Sequence, residues 1–153
     1  MSKKKKKPMT RSQIMGRIKG KDTKPEIYLR KLLWHRGFRY RCNYKKLPGH
    51  PDIYLKKYDT AIFVNGCFWH RHEGCKSAGT PSTNTEFWVE KFQRNVERDK
   101  RTYGQMKDQD IKVVVVWECT LKEMRKKPER EVEVLTEIME IIRSNETGTF
   151  HQF

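Results

Sequence analysis

No stretch of the 153-residue sequence approaches the roughly 20 consecutive apolar residues that cross a bilayer, and the basic run Lys3 to Lys7 leads into no apolar signal core. A membrane or secreted protein is therefore not expected, and the chain reads as soluble and cytoplasmic. Cysteine is sparse: four residues without a secretion signal make reduced thiols or metal ligands a better reading than a disulfide framework. Acidic side chains are in deficit, 19 against 34 Lys and Arg, which leaves a net charge of +15 and a pI near 9.8. That balance points to a polyanionic partner such as nucleic acid, without separating DNA from RNA or an acidic membrane.

The length suits one compact domain and therefore one functional site. Residues 1–20 are basic and poor in apolar side chains, so they read as a flexible arm. The domain is expected over 21–145, with a tail at 146–153 that frays. Thr23, Pro25 and Glu26 have capping-box spacing ahead of Tyr28, Leu29, Leu32 and Leu33 on one helical face, with Gly37 as the stop. Phe38, Tyr40, Cys42 and Tyr44 alternate with polar residues as in a half-buried strand, which places Cys42 in the core. Strands follow at about Ile53 to Lys56 and Thr60 to Val64. A long helix from Thr83 or Thr85 to about Lys107 repeats Trp88, Phe92 and Val96, and Ile111 to Trp117 forms a strand parallel to its predecessor. Pro128 opens a last helix that runs through Arg143. The order is that of an α/β mixed sheet flanked by helices.

Cys67, His70, His72 and Cys75 fall within one polar loop, and Cys119 lies just past the Ile111 to Trp117 strand. If that strand adjoins the one ending at Val64, three thiols and one imidazole meet, a donor set suited to a closed structural zinc site. Only one of His70 and His72 is required, which leaves the other for chemistry. His35 reads as structural. Asp52 follows Pro48 and Pro51 and opens a strand, where its carboxylate can meet a metal ion.

The segments Leu-Pro-Gly-His-Pro-Asp52, Asn-Gly-Cys-Phe-Trp-His70, Thr-Glu-Phe-Trp88, Asn95-Val-Glu-Arg-Asp99 and Val-Trp-Glu-Cys119 occur in the order of one family's motifs. On these blocks the chain resembles the very short patch repair (Vsr) DNA mismatch endonucleases. The resemblance implies a restriction-endonuclease-like fold with a structural zinc site. It also implies Mg2+-dependent hydrolysis that nicks the strand 5′ to the thymine of a T:G mismatch, the product of 5-methylcytosine deamination. It gives the magnesium ion two protein ligands, the Asp52 carboxylate and the main-chain carbonyl of Val64. It makes His70 the general acid or base and gives Zn2+ to Cys67, His72, Cys75 and Cys119. Glu26, Asp99 and Asn65 match positions near the active site, Asn65 standing where some relatives carry histidine.

Phe68 and Trp69 lie between a zinc ligand and the catalytic histidine, so a rigid loop presents two rings beside the chemistry. By resemblance Phe68, Trp69 and Trp88 form a wedge that opens the weakened base step, and Met15 enters from the opposite groove. The partner is then double-stranded DNA with a T:G mismatch, bound by a monomer, with a MutL-like repair protein as a family-level expectation. Two other readings fit part of this pattern: a restriction or structure-specific nuclease with the same catalytic centre, and a non-catalytic zinc-stabilised DNA-binding module.

Overall fold

The structure is a computed structural model that describes residues 8–18 and 20–153, the side chains of Arg11, Ser12 and Met15 excepted. Five strands form one mixed sheet in the order β1 (Arg41–Cys42), β2 (Ile53–Leu55), β3 (Thr60–Asn65), β4 (Lys112–Trp117) and β5 (Phe150–Gln152). The first two pairings are antiparallel; β3 with β4 and β4 with β5 are parallel. The helices are α1 (Arg11–Gly16), α2 (Lys24–His35), α3 (Thr85–Asp108), α4 (Glu118–Lys126) and α5 (Pro128–Arg143). Among the described residues no helix is long and apolar enough to cross a membrane.

Period-two alternation divides the core between the two faces of the sheet. Ile53, Leu55, Ile62, Val114 and Val116 pack with Leu29 and Leu33 of α2, Leu121 and Met124 of α4, and Leu135 and Ile138 of α5. Tyr54, Ala61, Phe63, Val113, Val115 and Trp117 face the other way and pack with Met106 of α3. The buried Lys112 ammonium closes the end of α5, donating to the carbonyls of Ile141, Ile142 and Ser144 at 2.9, 2.7 and 2.9 Å. A cation here satisfies carbonyls that a helix end leaves without partners.

Several local expectations hold. Thr23 caps α2 by accepting from the Glu26 N–H, Pro128 opens α5, and β4 runs parallel to β3 through a helical crossover. Others are corrected. Cys42 is exposed, because the alternating segment pairs only at Arg41 and Cys42, on the sheet edge. The segment read as a fraying tail forms β5, where the Phe153 N–H donates to the Val115 carbonyl and the Trp117 N–H to that of Phe153. The basic arm contains the six-residue α1, and α4 fills a stretch that the charge pattern left unassigned.

Gly49 fixes the approach of the turn before Asp52 to α3. It sits at φ +70°, and a Cβ there would lie 2.4 Å from Thr102 Cγ2 and 3.3 Å from a Phe63 ring carbon. Glycine is the residue that meets both constraints.

Replacing Lys112 by methionine keeps the buried stem but leaves the Ile142 and Ser144 carbonyls without their donor, while that of Ile141 keeps Ser144. The expected loss is about 1–3 kcal/mol, read as a lower urea midpoint with an unchanged slope.

Candidate active site and thiol cluster

The parallel pairing sets Asn65 opposite Trp117, so the loop leaving β3 and the helix leaving β4 start side by side. Cys67, His72 and Cys75 from the loop thereby meet Cys119 from the first turn of α4, with all four ligand atoms within 4.8 Å of one another. His72 Nδ1 lies 3.6 Å from Cys67 Sγ and 3.3 Å from Cys119 Sγ. These separations are close to the roughly 3.5–3.8 Å between ligands around tetrahedral zinc, so the cluster could hold a metal ion. Burial lowers the His72 pKa, favouring the neutral imidazole a metal requires, and pushes the Cys67 thiol up to about 12. A metal entering here must displace a firmly held proton. The His72 ring stacks on Trp117, with centroids 4.3 Å apart and planes 5° apart.

One face of α3 grips the same loop. Trp88, Phe92, Asn95, Asp99 and Tyr103 recur at spacings of three or four residues, which puts them in line along the helix. Asn95 Nδ2 donates to the Trp69 carbonyl at 3.0 Å, Asp99 Oδ2 lies 2.6 Å from His70 Nδ1, and Asn65 Nδ2 donates to the Tyr103 hydroxyl at 2.9 Å. Asn65 is therefore tied to Tyr103, which sequence reading missed together with Asn95. The spacing from Trp88 is the signal that could have found both.

His70 stands at the end of the sheet between two clefts. One, of about 660 Å³, opens on the α2 and α4 side and is lined by Glu26, Val64, Trp69, His70, Glu118 and Lys122 among others. The second, of about 640 Å³, opens on the α3 side and includes Asn65, His70, Asp99, Tyr103 and Phe150. Asp99 holds the Nδ1 side of the imidazole, leaving Nε2 as the nitrogen able to exchange a proton with a bound group.

Asp52 lies behind the first cleft. Its Oδ2 accepts the Val64 N–H at 2.7 Å, and its main-chain carbonyl accepts from Arg30 at 3.0 Å and from the Asn43 N–H at 3.3 Å. Burial raises the Asp52 pKa to about 6; the Val64 N–H opposes the rise, the Glu26 charge adds to it, and Arg30 and His70 oppose it. A carboxylate desolvated beside Glu26, itself only 4% exposed, is an environment that a divalent cation would relieve. Glu26, Val64 and His70 thus line one cleft, with Asp52 behind it on the Val64 N–H.

The rings lie on the same loop as His70. Phe68 makes edge contacts with Trp69 at 5.1 Å, Trp88 at 5.5 Å and Phe92 at 5.0 Å. Trp69 and Phe68 are half-buried, Trp88 is 6% exposed, and Lys91 Nζ sits 5.0 Å from the Trp69 ring centroid. Phe87 was not anticipated: it is 57% exposed, with its ring 5.4 Å from Trp88. The Met15 side chain lies outside the described residues.

Residues 3–76 match the family model described as DNA mismatch endonuclease Vsr. The DNA mismatch endonuclease Vsr of Escherichia coli is 41% identical over 131 residues, 86% of this chain and 81% of that protein. The chain belongs to the Vsr family. A type II nicking enzyme of Neisseria meningitidis serogroup A is 48% identical over 112 residues, 73% of this chain and 79% of its own length. A type II nicking enzyme of Xanthomonas oryzae pv. oryzae is 37% identical over 117 residues, 76% of this chain and 85% of its own. Its Vsr membership accounts for the order of the motif blocks that surround the two clefts and the thiol cluster.

The raised Asp52 pKa has a signed consequence for stability without divalent ions. The folded state favours the protonated acid, so this contribution is complete below pH 4 and is lost as pH rises through about 6. Asp52→Asn, which can still accept the Val64 N–H, is expected to stabilise the protein by about 1–3 kcal/mol at pH 7 and above. The gain should vanish below pH 4 in urea unfolding performed without added magnesium.

Proposed function

We propose that this Vsr protein is a strand-nicking DNA endonuclease that cuts 5′ to the thymine of a T:G mismatch by magnesium-dependent phosphodiester hydrolysis. The observation that carries the reading is the placement of His70, oriented by Asp99, on the rim of the cleft that holds Glu26 and Val64, with the buried Asp52 carboxylate behind it.

Asp52 and the main-chain carbonyl of Val64 would hold Mg2+, which when bound supplies polarisation of the phosphate and a more acidic water. His70 Nε2 exchanges a proton with the attacking water or the leaving oxygen, while Asp99 stabilises the imidazolium formed on proton uptake. Glu26 supplies a second carboxylate at the cleft for water or cation. Asn65 and Tyr103 hold the strand end from which the catalytic loop departs.

Phe68 and Trp69 reach the base step, and Trp88 and Phe92 back them so that the rings keep their attitude during insertion. A mismatched step costs less to open than a paired one, which lets a rigid wedge read the weakness of T:G pairing. Met15 and the basic residues preceding α2 complete the grip on the duplex. Cys67, His72, Cys75 and Cys119 fit Zn2+, whose role is to lock the loop carrying both rings and His70. The enzyme acts as a monomer on cytoplasmic DNA, with a MutL-like protein as the repair partner that the family resemblance supports.

Nicking should be measured on otherwise identical T:G and C:G duplexes. With Mg2+ the T:G strand is cut, chelation abolishes cutting, and Asp52→Ala lowers the rate by more than about a thousandfold. Equal cutting of C:G would favour a nuclease that reads paired sites, whereas intact T:G DNA would favour a binding module. Mismatch-selective nicking that persists in Asp52→Ala would overturn the cation assignment.

Metal analysis of fresh protein should find one zinc per chain. Cys119→Ser should lose it and unfold at a lower temperature, because the loop then keeps three thiol and imidazole groups without their common ion. Zinc-free protein with unaltered melting would contradict a structural metal.

A further inference from the structure

Arg30 is the most heavily shared side chain near the cleft. Its side chain is 9% exposed, and the guanidinium meets four oxygen acceptors from separate parts of the chain. Nη1 donates to Asp22 Oδ1 at 2.7 Å; Nη2 lies 3.4 Å from Glu26 Oε2, 3.5 Å from Asn43 Oδ1 and 3.0 Å from the Asp52 carbonyl. Asp22 also accepts from Asn43 Nδ2 at 3.0 Å. Unlike Glu26, Asp22 has a half-exposed side chain, at 51%.

Two carboxylates thus compete for one buried guanidinium, and the shorter contact belongs to the one outside the cleft. Charge-assisted N–H···O bonds are strongest at about 2.7–2.9 Å, so the contact to Asp22 is the tight one and that to Glu26 is loose. The consequence reaches the cation. A carboxylate fully engaged by arginine has its charge compensated and its lone pairs occupied, which weakens it as a ligand or a water anchor for Mg2+.

We infer that Asp22 is a positioning residue for the cation site: by drawing Arg30 toward itself, it leaves the Glu26 carboxylate free to face the ion in the cleft. This rests on the magnesium-dependent reading above. Asp22 occupies the turn between the arm and α2, with its backbone in the left-handed region at φ +53°, and Ile18 and Gly20 just before it line the cleft. The segment that enters the cleft is thereby pinned by the same residue that tunes its charge.

Removing the Asp22 charge with Asp22→Asn keeps an acceptor for both donors but lets Arg30 turn to Glu26. In the full chain, Mn2+ titrated alone and followed by electron paramagnetic resonance should bind about fivefold more weakly. The Mg2+ concentration for half-maximal nicking should rise by a similar factor, with the rate at saturating Mg2+ within about twofold of the parent. Asp22→Glu should restore both values toward the parent.

The double variant Asp22→Asn/Arg30→Gln separates electrostatics from simple loss of structure. With the competing guanidinium gone, cation affinity should return toward the parent value even though stability is lower. Unchanged Mn2+ affinity in Asp22→Asn, or weaker binding in the double variant than in Asp22→Asn, would overturn the inference while leaving magnesium-dependent nicking intact. Absence of Mn2+ binding and of Mg2+ dependence in the parent chain would remove both readings together.

Discussion

The parallel pairing of β3 with β4 is the constraint on which everything else depends. Parallel neighbours end at the same edge of a sheet, so Asn65 and Trp117 deliver the loop that carries Cys67 to Cys75 and α4 to one place. The pairing also requires a long crossover, and α3 is that crossover. Its length places Trp88 and Phe92 under the rings, Asn95 on the Trp69 carbonyl, and Asp99 on His70. An antiparallel hairpin at this point would supply neither the thiol partner nor the helical stripe.

Charge at the cleft is organised as a graded series. Asp52 is the most desolvated acid and is held by a main-chain N–H; Glu26 is buried beside it; Glu118 lines the cleft but pairs with Lys122 at 3.1 Å. Arg30 offsets the first two without forming a tight bond to either carboxylate. Burial eases this crowding of negative charge by favouring the protonated acid of Asp52, and the basic chain around it favours a polyanion such as DNA.

Much of this arrangement was legible from local chemistry. Thr23 with Glu26, Pro128, the apolar runs of β3 and β4, and the Cys67 to Cys75 spacing each specify their own geometry within a few residues. Cys42 was misplaced because alternation describes which side chains share a face and says nothing about whether anything covers that face. β5 was missed because Phe150, His151 and Gln152 have no apolar pattern and gain strand structure only from the edge that β4 offers. The Asp22–Arg30–Glu26 arrangement joins a turn to a helix face through a guanidinium, and neither partner's sequence neighbourhood announces it. Asn65 illustrates the same limit: its position was noticed, but its partner, Tyr103, is 38 residues away and was chosen by the packing of α3.

Gly49 carries a mechanical consequence. The turn before Asp52 touches α3 at the Thr102 side chain, one residue from Tyr103 and three from Asp99, with no side chain on the turn's own part. The turn that leads to Asp52 and the helix that carries Asp99 are therefore gauged against each other through a single threonine side chain. Any bulk introduced there would act as a lever on the helix, shifting Asp99 and the imidazole it holds relative to Asp52.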